Sequence, residues 1–165
     1  VLILTITTYV ALALLVHELG HLIAAKKCDV NASEISLGLG PKLLGFCVGG
    51  VRFSLRALPL GSFVRLDGIA LKARSTQQQL FVHLGGVALN LIIGLATFGT
   101  IFSWINFLVA AGNLLPLYQH DGWKVGLVVV RSLLKRKSQP IEWTFTFSGG
   151  FVSLIAVWAI IRLFV

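Results

Sequence analysis

Apolar and polar positions divide the chain into two kinds of region. Residues 1–25 are apolar almost throughout and carry no Lys or Arg until Lys26-Lys27 ends the run. At ~1.5 Å rise per residue this length crosses the roughly 30 Å hydrocarbon core of a bilayer, which predicts a first span over residues 1–26. Residues 28–75 differ in kind: glycines are frequent, Pro41 and Pro59 interrupt, and pieces such as Val51-Arg52-Phe53-Ser54-Leu55-Arg56 alternate with period two. That pattern predicts strands and hairpins with Leu and Phe on one face and Arg on the other, a small β-rich element on the membrane surface. A second apolar span is predicted over 80–103. A third, over 104–134, is broken between Pro116 and Gly122, and a fourth, over 144–165, opens with Thr and Gly residues. Helix is lost at membrane depth only where protein or a water-filled cavity satisfies the released backbone groups, so the break marks an interior site.

Composition agrees with the pattern. Of 165 residues 56% are hydrophobic and only 12% charged, with mean hydropathy +0.90, where a soluble domain is about a quarter charged. The fold class expected is a mainly α, polytopic membrane protein of about four transmembrane helices with a small membrane-associated β-hairpin element, one domain over residues 1–165.

The net charge of +8 adds orientation. Basic residues 26, 27, 42, 52, 56, 65, 72 and 74 lie between the first two spans, and 124, 131, 135, 136 and 137 follow the break. With four spans they fall on one side, which the positive-inside rule makes cytoplasmic, with both termini outside. Their placement beside apolar runs points to the lipid bilayer and its anionic headgroups as partner, and not to nucleic acid. Cys28 and Cys47 have no CxxC spacing and read as free thiols on the reducing side. The first span is too long, and lacks the preceding basic stretch, for a cleaved signal peptide. The chain neither begins with Met nor contains one, which is compatible with a fragment or a trimmed chain.

Against this background His17-Glu18-Leu19-Gly20-His21 stands out. Ionisable groups at membrane depth each cost about 2.5–3.5 kcal/mol even on the mildest insertion scale, so they need partners or a job. On a helix His17 and His21 are i and i+4, one turn apart on one face, and both rings reach a single ion. Glu18 then lies beside a water on that ion, as a general base requires. Catalytic zinc takes three protein ligands and an open fourth position. Asp121, in the broken third span and flanked by Pro116 and Gly122, is the candidate third ligand; its alternative role is an N-cap for the helix starting at Trp123. His120 and His83 are rival ligands. His21 precedes Lys26 by five residues, ~8 Å of helix, and Asp121 precedes Lys124 by three, so both candidate ligand sets lie toward the basic side.

Taken in order, the motifs resemble those of the site-2 protease family of intramembrane zinc metalloproteases. His17-Glu18-Leu19-Gly20-His21 is similar to the first, Gly86-Val87-Ala88-Leu89-Asn90 to a Gly-x-x-x-Asn motif, and Asn113, Pro116, Asp121 and Gly122 to an Asn-x-x-Pro…Asp-Gly motif. Between the first and second, "LPLGSFVRLDG" is similar to the family's membrane-associated hairpin region. The chain departs from the pattern at Val87, where many members have Pro, and at Trp123, where many have a second Gly.

The resemblance implies a three-helix catalytic core plus one further helix and one Zn2+ held by His17, His21 and Asp121. It implies Glu18 as general base, with Asn90 and Asn113 on the substrate backbone or the developing oxyanion, for which helix-to-helix hydrogen bonding is the alternative. The expected function is hydrolysis of peptide bonds in or near membrane-spanning segments of substrate proteins, near the cytoplasmic face; a bacterial inner membrane is the plainest setting, and a thylakoid or endoplasmic reticulum membrane would place the same charges similarly. The alternatives are a catalytically inactive homologue or a membrane zinc-binding or transport protein.

Overall fold

The computed structural model describes residues 1–134 and 139–164. It contains α1 (Leu2–Lys27), β1 (Ala32–Val48), β2 (Val51–Leu66), α2 (Gly68–Ala73), α3 (Thr76–Ala96), α4 (Ile101–Leu114), α5 (Asp121–Leu133) and α6 (Gln139–Phe164). Two compact units divide it, Val1–Ala111 and Gly112–Val165. Helices α1 and α3, and residues 140–159 within α6, are long and apolar enough to cross a bilayer, whereas α4 is shorter. Among the described residues three helices are candidate spans, and the expected broken third span is represented by α4, the break and α5. At 14 residues α4 rises only ~21 Å, short of the hydrocarbon thickness.

Within the first unit α1 packs against α3 through small residues. A Cβ on Gly20 would collide with the backbone of Gly85 and Gly86, and one on Gly85 would meet Gly20 and Ala24. The two helix backbones come this close only because neither side chain intervenes, the arrangement that serves helix pairs in lipid. Leu2, Ile3 and Leu4 on α1, and Leu91, Ile92 and Leu95 on α3, remain exposed, as a lipid-facing surface requires.

Past Lys27 the chain turns through Asp29 at φ 51° and enters the sheet. Ala24, Ala25, Cys28, Val30, Leu71 and Val82 form a buried cluster that fixes α1, α2 and α3 to the sheet's base. The expected β-rich segment is present as two long antiparallel strands joined by Gly49-Gly50, both at positive φ as a tight hairpin turn demands. Cross-strand partners share a face, so Leu44, Phe46 and Val48 opposite Leu55, Phe53 and Val51 make one face apolar, while Cys47 opposite Arg52 and Gly45 opposite Ser54 make the other polar. Residues 34–37 pair with both 52–55 and 62–65, so β1 is flanked on two sides by β2. Glycines at positive φ accompany this doubling, Gly38 and Gly40 in β1 and Gly61 in β2.

Glu34 is buried on the polar face, where the Ser54 hydroxyl donates to it at 2.6 Å and Lys42 and Arg56 each approach to 3.1 Å. The Ser54 hydrogen bond first, and then these cations, outweigh the opposing effect of burial and lower its pKa from the ordinary 4.5 to about 2.

Within the first unit some element boundaries differ from expectation. Residues 28–75 also hold α2, started by Asp67, whose side chain accepts from the Ile69 and Ala70 amides at 3.0 Å. The second span runs from Thr76, behind a Ser75–Gln78 capping box, and stops at Ala96 instead of continuing to 103. Thr97–Thr100 form a turn with Gly99 at φ 86°, and the Thr100 hydroxyl accepts from the Ser103 amide to restart helix as α4.

In the second unit the expected break is real: helix is absent between Leu114 and Asp121, and Gln119 is left-handed at φ 72°. Gly122 is required there, because a Cβ would strike the carbonyls of Leu114 and Leu115. Trp123 lies against Gly149, its indole N–H donating to the Phe145 carbonyl at 3.1 Å, so the bulky residue is accommodated by a gap on α6. The predicted fourth span corresponds to α6 and begins earlier than residue 144. The basic run Lys135-Arg136-Lys137 and the final Val165 lie outside the described residues.

Candidate metal centre

Helix α1 carries His17, Glu18 and His21 on its buried side, with side chains only 3%, 6% and 5% exposed. Helical periodicity places the two rings one turn apart, edge to face, with Nε2 atoms 3.2 Å apart. Two nitrogens bound ~2.05 Å from one tetrahedral ion would sit about 3.3 Å apart, so the pair has the spacing of two ligands on one metal.

The opposite ring nitrogens decide which tautomer each histidine adopts. His21 Nδ1 lies 2.8 Å from the Val82 carbonyl, which can only accept, so His21 is protonated at Nδ1. His17 Nδ1 lies 2.7 Å from Asn90 Oδ1 and donates to it. With the proton on Nδ1, each ring turns Nε2 to the common site as the ligand atom, at the spacing two ligands of one ion would have. The donor set thus fits zinc, with both outer nitrogens anchored as metal-bound imidazoles usually are.

Gly86 provides the space: a Cβ there would run into His17 Nε2 and Cε1 and His21 Nε2. The Gly-x-x-x-Asn stretch therefore has a local explanation, its glycine admitting the rings and its asparagine, one helical turn on, orienting one of them.

Glu18 accepts a hydrogen bond from Ser62 Oγ at 2.7 Å. Ser62 follows Gly61, at φ 73° in β2, and is a partner that sequence reasoning missed. Asn90 is fully buried, and its amide bonds to His17, to the Ala13 carbonyl and to Asn106. These are the helix-to-helix bonds named above as the alternative to a substrate role. Asn106 was also missed, although an amide in the middle of the apolar run of α4 was a signal of the same kind as His17.

The structure therefore brings together His17, Glu18, His21 and Asn90 within the first unit. In the second unit Asp121 is the first residue of α5, 2% exposed, with Lys124 Nζ 3.0 Å from its Oδ1. It is not the N-cap; His120 occupies that position without a side-chain capping bond, its Nδ1 3.4 Å from the Tyr118 carbonyl. Asn113 lies half-buried near the end of α4, and His83 is half-buried on α3.

Comparison with known proteins gives concordant results. The sequence model described as peptidase family M50 matches residues 5–103. A Clostridium acetobutylicum protein named "Putative zinc metalloprotease" is 37% identical over 93 residues, covering 52% of this chain and 27% of that protein. A protein of the same name from Clostridium perfringens is 38% identical over 93 residues, covering 52% and 28%. Zinc metalloprotease RasP of Geobacillus kaustophilus is 44% identical over 52 residues, covering 32% and 12%. The chain spans less than a third of the length of these relatives.

Proposed function

The chain belongs to peptidase family M50, and from that premise we propose that it forms the metal-bearing part of a zinc-dependent intramembrane endopeptidase. Its substrates are proteins with membrane-spanning segments, cut in or near those segments. One observation carries this reading: two imidazoles in a fixed tautomer, beside a carboxylate, on a helix long enough to cross a bilayer.

In this reading His17 and His21 supply two ligands, and the buried carboxylate of Asp121 at the start of α5 supplies the third. Zinc held there would supply Lewis acidity, for ionising water near neutral pH and for stabilising developing negative charge. Glu18, steadied by Ser62, takes the proton from the attacking water and delivers it to the leaving amine. Asn113 pairs with the substrate backbone or the developing oxyanion.

A helical substrate hides its carbonyls and must unwind before attack. The sheet offers strand addition as the means, with main-chain hydrogen bonds replacing those of the lost helix. The basic residues that follow α1 and the break support a site toward the cytoplasmic face of a bacterial inner membrane.

The test is cleavage of a single-span reporter protein in liposomes by the wild type and by Glu18→Gln. Cleavage by the wild type with loss in the variant is expected; equal cleavage removes Glu18 as the base. Metal flux into the liposomes without a cut product would favour transport.

A further inference from the structure

We infer that Asn106 is a positioning residue for the metal centre, acting through Asn90 to hold His17 in the tautomer that presents Nε2 to the ion. This rests on the zinc-site reading above and adds a residue outside the H-E-x-x-H, Gly-x-x-x-Asn and Asn-x-x-Pro motifs and beyond the family match at residues 5–103.

The chain of hydrogen bonds has only one consistent direction. Asn106 Nδ2 donates to the Phe102 carbonyl at 2.9 Å, the i−4 position of its own helix. A backbone carbonyl only accepts, so the NH2 of Asn106 must face it and Oδ1 must face the other way. That oxygen accepts from Asn90 Nδ2 at 2.8 Å, and the same NH2 gives its second hydrogen to the Ala13 carbonyl at 3.0 Å. With both donor hydrogens committed, Asn90 turns Oδ1 to His17 Nδ1 at 2.7 Å and can only accept there. The proton of His17 must therefore sit on Nδ1.

A flipped Asn90 would instead donate to Nδ1, shift the proton to Nε2 and close the ring to metal. One carbonyl, Ala13, opposes that flip alone; Asn106 adds a second opposing acceptor. Both asparagines are 0% exposed, so water does not substitute for a lost partner without a cavity opening. His21 has no such dependence, because the Val82 carbonyl fixes it directly.

The measurement is 15N NMR of histidine side chains in the metal-free full chain in nanodiscs, with zinc affinity by competition against a chelator. In the wild type both His17 and His21 should be Nδ1–H. Asn106→Leu, which keeps the branch at Cγ but removes the acceptor, should give mixed tautomers at His17 alone and weaken zinc about 10- to 100-fold, the usual effect of losing an outer partner of a ligand. Asn106→Asp, whose buried carboxyl in its neutral form keeps an acceptor oxygen toward Asn90 and an O–H for the Phe102 carbonyl, should restore the single tautomer. If Asn106→Leu does not fold, Asn106→Ala is read the same way.

The inference is overturned if His17 keeps one tautomer and wild-type affinity in the acceptor-free variant. It is overturned equally if His17 and His21 change together, or if Asp fails to restore His17, since these outcomes mark a general packing role. Because the tautomer is read without metal or substrate, a wild type that binds zinc but cuts no reporter would defeat the protease reading and leave this one standing.

Discussion

Two buried glutamates each accept a hydrogen bond from a serine of β2, and their fates differ. Glu34 is held by Ser54 on the polar face of the sheet, with Lys42, Arg56 and, at 3.9 Å, Arg65 around it. Glu18 is held by Ser62 beside two imidazoles; among the described residues no Lys or Arg forms an ion pair with it. Ser54 first, and then the cations, hold Glu34 in the ionised form and occupy its oxygens, so it ties the strands together. Glu18, with its serine donor and next to His17 on α1, stands where a base for the metal centre is needed. Burial alone does not mark a candidate base; the partners around the carboxylate do.

Substitutions can break this contrast at either glutamate or at their surroundings. The largest effect is expected from His17→Ala, which should take bound zinc, measured by elemental analysis of purified protein, from about one equivalent to near none. Retention of metal would remove His17 from the ligand set. Next, Glu18→Gln should lower reporter cleavage by about 10²- to 10⁴-fold while leaving zinc content intact. The matching change Glu34→Gln should leave any cleavage measurable and show itself in stability; a loss of turnover as large as that of Glu18→Gln would erase the distinction.

Ser62→Ala tests whether the serine only steadies the base. A single lost hydrogen bond to a charged group corresponds to about 1.5–3 kcal/mol, so cleavage should fall by roughly 10- to 100-fold with zinc affinity unchanged.

The smallest effect is one of pH. Glu34 is held at about 2 in the folded protein against an ordinary 4.5, so the unfolded chain binds the proton more tightly. Its contribution to stability is complete above about pH 4.5 and disappears as the pH falls through about 2. Thermal unfolding in micelles should show this loss for the wild type, and Glu34→Gln should flatten it. An identical slope in both would mean that the ion-pair cluster does not form in solution.

Much of this architecture is legible in local chemistry. The spans follow from apolar length, the β-rich segment from frequent glycines and period-two alternation, and the break from Pro116 and Gly122. The turn at 97–100 was harder, because Phe98 and Ile101 continue the apolar run around it and Gly99 alone signals the reversal. Helix α2 lies inside the predicted β region, and although Asp67 and the following amides form an ordinary cap, six residues are too few for periodicity to register. Ser62 could not be paired with Glu18 from sequence, since the 44-residue separation closes only through the path of β2.

The histidine pair shows where local and tertiary information divide. That His17 and His21 share a face is a property of 3.6 residues per turn, and it holds for any α-helix containing this pentapeptide. That each ring offers Nε2 is decided by Asn90 and the Val82 carbonyl, 73 and 61 residues away along the chain. Those partners arrive only because Gly20, Gly85 and Gly86 let two helices meet backbone to backbone. Spacing along one helix sets which atoms can reach a common ion; hydrogen bonds from the neighbouring helix set which of them carry a lone pair when they get there.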